Sequence, residues 1–169
     1  MLKPEIEAAL NDQLNQEQSA SHEYLAMAAY FDARNLNGFA AYMKKQSDEE
    51  RTHALKIFGH ICDRGGRPVL RALKAPKADF DSPRQVFEAA WNREKDNTRS
   101  IHELFKLAKA HDDYATETML QWFIAEQVEE EAWCEEAVDL LTMAGENPSA
   151  LLMLDQKYGT KATTAEAEE

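Results

Sequence analysis

The chain has 169 residues, 44% of them hydrophobic and 30% charged, with a formal net charge of −12. That length makes one domain with a real core the default, and the acidic balance argues against nucleic acid or anionic membrane as partners. No apolar run approaches the roughly 18 residues of a membrane span, and no basic-then-apolar leader opens the sequence. A soluble, cytoplasmic protein is expected. Cys62 and Cys134 lie far apart without a CxxC spacing, so neither a disulfide framework nor a zinc knuckle is suggested.

The periodicity is helical almost throughout. Pro4 sits where a first-turn proline belongs, and a first helix runs from it to about Arg34, broken by "NLNG". A second helix spans about 38–64 and stops at Gly65-Gly66. Residues 65–82 are non-periodic and carry Pro68, Pro76 and "ADFDSP". Ser82-Pro83 then reads as an N-cap with proline at N1, opening a third helix that reaches about Ala110. A short "HDDY" turn leads to a fourth helix, about 115–144, ended by Gly145. Asn147-Pro148 opens a short fifth helix, 148–158, closed by Gly159. Residues 1–159 are thus expected to form one domain and 160–169 a flexible tail with too little apolar character to fold alone.

Connection lengths set the topology. The short links make helices one and two, and helices three and four, antiparallel hairpins. The stretch 65–82 spans roughly 50 Å if extended, enough to run the roughly 40 Å of the second helix. Helices two and three can then lie parallel. The expectation is an all-α, ferritin-like four-helix bundle with one long crossover and a short fifth C-terminal helix.

Each long helix places polar groups on its apolar stripe. Glu17 falls among Ile6, Leu10, Tyr24, Met27 and Phe31, while Glu50 and His53 fall among Phe39, Met43, Ile57 and Ile61. Glu94 sits among Phe87, Ile101 and Phe105, and Gln127 and Glu130 straddle Leu120, Phe123, Cys134, Val138 and Leu141. On any one helix, such a residue is more often a side chain reaching back to water, or a hydrogen-bonded core histidine. The coincidence on four helices, each near its middle, outweighs that reading. Glutamate is almost never fully buried unpaired, and four carboxylates at one depth would repel one another. Two divalent cations remove both penalties, and oxygen-rich ligation with one imidazole suits iron or manganese better than structural zinc.

The series Glu17, Glu50-x-x-His53, Glu94, Gln127-x-x-Glu130 resembles the ferroxidase centre of non-haem ferritins, the prokaryotic type above all. "MLKPE" at the start, "LQWF" before the fourth-helix motif and the fifth helix extend the likeness over nearly the whole chain. The resemblance implies a di-iron centre: Glu17, Glu50 and His53 holding one iron with Glu50 bridging, Glu94 and Glu130 holding the other, and Gln127 beside bound oxygen or water. It gives Tyr24 a place next to Glu94 as an electron source, although an amphipathic core tyrosine fits that position equally well. It also implies a third iron position at Glu49, Glu126 and Glu129. On the helical wheel, Glu129 points furthest from the core and equally suits a solvated acid.

Further implications are Fe(II) oxidation by dioxygen (or peroxide), storage of hydrated ferric oxide, and a homo-oligomeric 24-mer cage. Glu117 and Gln121 are pore candidates. The fourth helix has no ExxH, and Arg51 follows Glu50 where bacterioferritins carry a haem methionine, so no haem is expected. The alternatives are a di-iron protein acting mainly in peroxide or oxygen detoxification, and a non-catalytic helical bundle.

Overall fold

The structure, a computed structural model, describes residues 2–165. Five helices follow one another: α1 (Pro4–Asp32), α2 (Asn37–Asp63), α3 (Pro83–Ala110), α4 (Tyr114–Ala144) and α5 (Pro148–Ala165). Among the described residues there is no strand, and no helix is long and apolar enough to cross a membrane. The fold is the expected ferritin-like bundle.

Local chemistry fixes the ends. The α1–α2 and α3–α4 turns each contain one left-handed residue, Asn35 (φ 57°) and Asp112 (φ 54°), the two residue types that tolerate this conformation best after glycine. Ser82 caps α3 by accepting from the Gln85 amide at 3.2 Å, and Asn147 caps α5 by accepting from Ser149 N at 3.0 Å. Asp113 caps α4 through the Thr116 amide while Arg64, at the end of α2, grips both its carboxylate oxygens at 2.7 and 3.2 Å. One aspartate thereby ties the start of α4 to the end of α2.

The interior has two apolar clusters with a polar layer between them. Ile6, Leu10, Ile57, Ile101, Leu120 and Phe123 belong to one; Phe31, Phe39, Phe87, Cys134, Leu141 and Tyr158 belong to the other. Read along the chain, α1 and α4 pass from the first cluster to the second, and α2 and α3 from the second to the first. Helices α2 and α3 are therefore parallel, as the long crossover requires.

That crossover is fastened rather than loose. Asn11 and Asn15, one turn apart on α1, each donate to and accept from the extended chain: Asn11 to Arg67 O and from Val69 N, Asn15 to Val69 O and from Arg71 N, at 2.6–3.1 Å. The Glu7 carboxylate accepts from Arg67 N at 2.9 Å. Side chains thus do for this segment what a neighbouring strand would do, satisfying its amides and carbonyls.

Two expectations at the C-terminus need correction. Helix α5 does not close at Gly159 but continues to Ala165, so the first residues of the expected tail are helical; residues 166–169 lie outside the described residues. The reason is packing: Tyr158 and Ala162 are buried against the second cluster, which rewards helix on both sides of the glycine. The apolar face expected at Leu151, Leu152 and Leu154 is also shifted. Leu151 and Leu154 pack inward, but Leu152 is exposed with Met153. Phe105, placed on the α3 core stripe, is half-buried.

Candidate metal centre

The layer between the two clusters contains every residue expected for the di-iron centre. Glu17 and Glu94 are 0% exposed, Glu50 1%, Gln127 2%, His53 4% and Glu130 6%. They arrive from the middles of the four long helices, Glu17 from α1, Glu50 and His53 from α2, Glu94 from α3, and Gln127 and Glu130 from α4, where each stripe passes from one cluster to the other. A ligand-type atom from each of Glu17, Glu50 and His53 lies within 4.8 Å of the other two, so one cation could touch all three.

Hydrogen bonds distinguish the carboxylates. Tyr24 donates its hydroxyl to Glu94 Oε1 at 2.5 Å, and Gln127 Nε2 donates to Glu94 Oε2 at 3.1 Å. Glu130 Oε2 accepts from Gln46 Nε2 at 3.0 Å and from the Trp133 indole at 2.5 Å. Glu17 Oε1 accepts from Gln13 Nε2 at 2.6 Å, and Oε2 from Asn97 Nδ2 at 3.3 Å. Glu50 differs: its Oε2 is buried without a hydrogen-bond partner, as is His53 Nδ1, and the two atoms face each other at 3.6 Å. The His53 ring is held edgewise by Trp122 and Phe123, with centroids 5.3 and 5.8 Å away. Packing, not a hydrogen bond, aims Nδ1 inward.

The electrostatics are those of a site built for cations. Burial, followed by the charges of Glu17 and Glu94, pushes the Glu50 carboxyl well above its ordinary range. Burial and then Glu94 raise Glu130 to about 8. Burial also raises Glu94, against the opposing hydrogen bonds from Tyr24 and Gln127. Buried carboxylates that cannot ionise together without a cation, beside an inward lone nitrogen, fit a pair of metal ions by donor set and by charge.

The residues expected at a third position do not join this layer. Glu49 and Glu126 are half-buried, close enough to Glu130 to raise its carboxyl, and Glu49 is paired with Lys45 at 2.7 Å. Glu129 is exposed. Of the pore candidates, Gln121 is exposed and Glu117 half-buried.

The sequence matches the ferritin-like domain family over residues 7–144. The chain belongs to the ferritin family. It is 42% identical over 161 residues to the bacterial non-heme ferritin of Staphylococcus aureus (strain MRSA252), covering 95% of this chain and 97% of that relative. The corresponding protein of Staphylococcus epidermidis is 41% identical over 162 residues, covering 96% and 98%. Among solved structures, an open-pore ferritin from the hyperthermophilic archaeon Archaeoglobus fulgidus superposes with a TM-score of 0.92 at 42% identity, covering 94% of this chain and 98% of that one. A structure described as a humanized archaeal ferritin gives 0.93 at 41%, covering 94% and 96%.

Within this ferritin bundle, the residues that sequence reasoning passed over are the buried amides Gln13, Gln46 and Asn97, and the indole of Trp133. A signal existed. Gln13 and Gln46 stand one turn before Glu17 and Glu50, while Asn97 and Trp133 stand three residues after Glu94 and Glu130. All share the faces that carry the candidate ligands.

Proposed function

We propose that this chain is the subunit of a cytoplasmic iron-storage ferritin that oxidises ferrous iron with dioxygen inside each bundle. The observation that supports this reading best is the unpartnered pair Glu50 Oε2 and His53 Nδ1, buried together amid three further carboxylates. A buried charge without a partner costs several kcal/mol or about that, and a cation between the two atoms turns the cost into binding.

Glu17, Glu50 and His53 would take the first ferrous ion, and Glu94 and Glu130 the second. Glu50, whose Oε2 has no hydrogen-bond partner, would be free to bridge them. Hard oxygen ligands stabilise the ferric state relative to the ferrous, so the site favours release of one electron per iron. Two irons held together supply both electrons to one dioxygen. Gln127 would lie beside the second position, its amide on Glu94, and Tyr24, hydrogen-bonded to the same carboxylate, would supply an electron.

Glu49, Glu126 and Glu129 form the accessory position in this reading, where iron arrives or leaves. The oxidised product passes to the cavity of a 24-mer shell, where it grows as mineral. Free cysteines Cys62 and Cys134 suit a reducing cytoplasm.

The test adds ferrous iron to the apo-protein in air and follows absorbance toward the ultraviolet. A fast phase that saturates at two irons per chain supports the proposal. A rise no faster than in protein-free buffer overturns it.

A further inference from the structure

Behind Glu17 lies a set of amide hydrogen bonds that links α1, α3 and α4. Gln13 Nε2 donates to Glu17 Oε1 and to Asn97 Oδ1, both at 2.6 Å, and Gln13 Oε1 accepts from Ser100 Oγ at 2.6 Å. Asn97 Nδ2 donates to Glu17 Oε2 at 3.3 Å and to Gln127 Oε1 at 3.4 Å. Gln127 in turn donates to Glu94 Oε2 at 3.1 Å. Gln13 and Asn97 are each 1% exposed, and every polar atom of both amides is used.

We infer that Asn97, locked by Gln13, is a positioning residue that holds Glu17 and ties the two metal positions to each other. The inference rests on the di-iron reading above and goes beyond it by assigning roles to residues that would not touch metal. Three features carry it. Both oxygens of Glu17 are engaged by these two amides, so the direction in which that carboxylate presents itself is set by them. The two amide hydrogens of Asn97 divide between a ligand of the first position and the neighbour of the second. Gln13 accepts from Ser100 and spends both its hydrogens on Glu17 and Asn97, which fixes which end of each amide faces the site.

The chemistry of residue 97 follows. A carboxyl side chain of the same shape would set a charge against Glu17. An apolar one would leave a Gln13 hydrogen and the Gln127 oxygen buried without partners. Only a short side chain with a donor end and an acceptor end completes the set. A cation drawn by Glu17 pulls on Asn97, and Asn97 pulls on Gln127 and thence Glu94, so filling one position should be felt at the other.

The experiment is an anaerobic titration of the assembled apo-protein with Co(II), followed by calorimetry and by the visible ligand-field bands, in wild type, Asn97→Leu and Ser100→Ala. Wild type should bind two Co(II) per chain. Asn97→Leu should weaken binding by about 10- to 100-fold and shift the bands, with the two ions binding independently. Ser100→Ala, which removes the outer hydrogen bond to Gln13 together with one from Gln16 and keeps the fold in reach should Asn97→Leu not assemble, should move binding in the same direction by a smaller factor. Should wild type fail to bind a pair of Co(II), the di-iron reading itself falls. Should wild type bind the pair, and a folded Asn97→Leu (or, where that variant does not assemble, Ser100→Ala) give the same isotherm and the same bands, the network only pairs α1 with α3 and the inference is overturned.

Discussion

Tyr24 reaches across the bundle, 70 positions along the chain, to donate its hydroxyl to Glu94 Oε1 at 2.5 Å. Both groups are buried, and burial, reinforced by the Glu94 charge, raises the phenol well above its ordinary range. The tyrosine is therefore a proton-bearing donor across neutral pH, and its hydrogen bond steadies a carboxylate that burial disfavours. Tyr24→Phe should lower apo-protein stability by about 1–3 kcal/mol, read from the denaturant midpoint. Ferrous binding should persist while oxidation slows. An unchanged midpoint would mean that the contact contributes nothing.

The raised carboxyls of Glu50 and Glu130 give the apo-protein a definite pH dependence. In the unfolded chain such groups titrate near about 4.3, whereas Glu130 in the fold titrates at about 8 and Glu50 is raised in the same sense. Folding therefore favours their protonated forms. That contribution is complete below the unfolded value and is lost as the pH rises through the folded one. The apo-protein should melt at a higher temperature near pH 6 than near pH 8, and bound divalent metal should narrow the gap. Glu50→Ala should reduce the pH slope and melt above wild type at the upper pH. An apo-protein that gains stability between these pH values would contradict the assignment of the burial cost.

Helix α5 depends on two glycines. A Cβ on Gly38 would lie 1.8 Å from the Asp155 carbonyl oxygen, and one on Gly159 would lie 3.1 Å from Gly38 Cα. The Asp155 carboxylate also accepts from Phe39 N at 2.8 Å, serving the first turn of α2. Gly38→Ala should push α5 off this seat and lower the melting temperature by about 5 °C or more. Since α5 carries exposed Leu152 and Met153 beyond its docked face, native mass measurement should show a 24-mer for wild type and smaller species for the variant. A full cage with wild-type melting in Gly38→Ala would show that the seat is dispensable.

Glu129 tests the proposed accessory position apart from the buried centre. It is exposed, whereas Glu49 and Glu126 stand half-buried beside Glu130. Glu129→Gln should spare the first fast oxidation and change either the iron oxidised per dioxygen or the recovery of the centre between additions. Identical behaviour through every turnover would make it a plain surface acid, and collapse of the fast phase would place it wrongly.

The buried polar layer was legible in the sequence because its carboxylates interrupt apolar stripes, a pattern whose cost is visible residue by residue. Its support was less legible. Gln13 and Asn97 are neutral, so nothing about them is costly until their partners on the facing helix are known. The Asn11–Asn15 clamp on the crossover was hidden for the same reason: asparagine on a helix surface is ordinary, and the extended chain it grips is remote in sequence. At Gly159 the local signal for a helix end was real but was outweighed by burial of Tyr158 and Ala162 on either side of it.

The most direct measurement is a crystal structure of the protein soaked aerobically in ferrous iron, with anomalous maps recorded at the iron edge. The account predicts two anomalous peaks inside each bundle, one against Glu17, Glu50 and His53 and the other against Glu94 and Glu130, with Glu50 touching both. Iron confined to the surface acids, with no peak among the buried carboxylates, would contradict it.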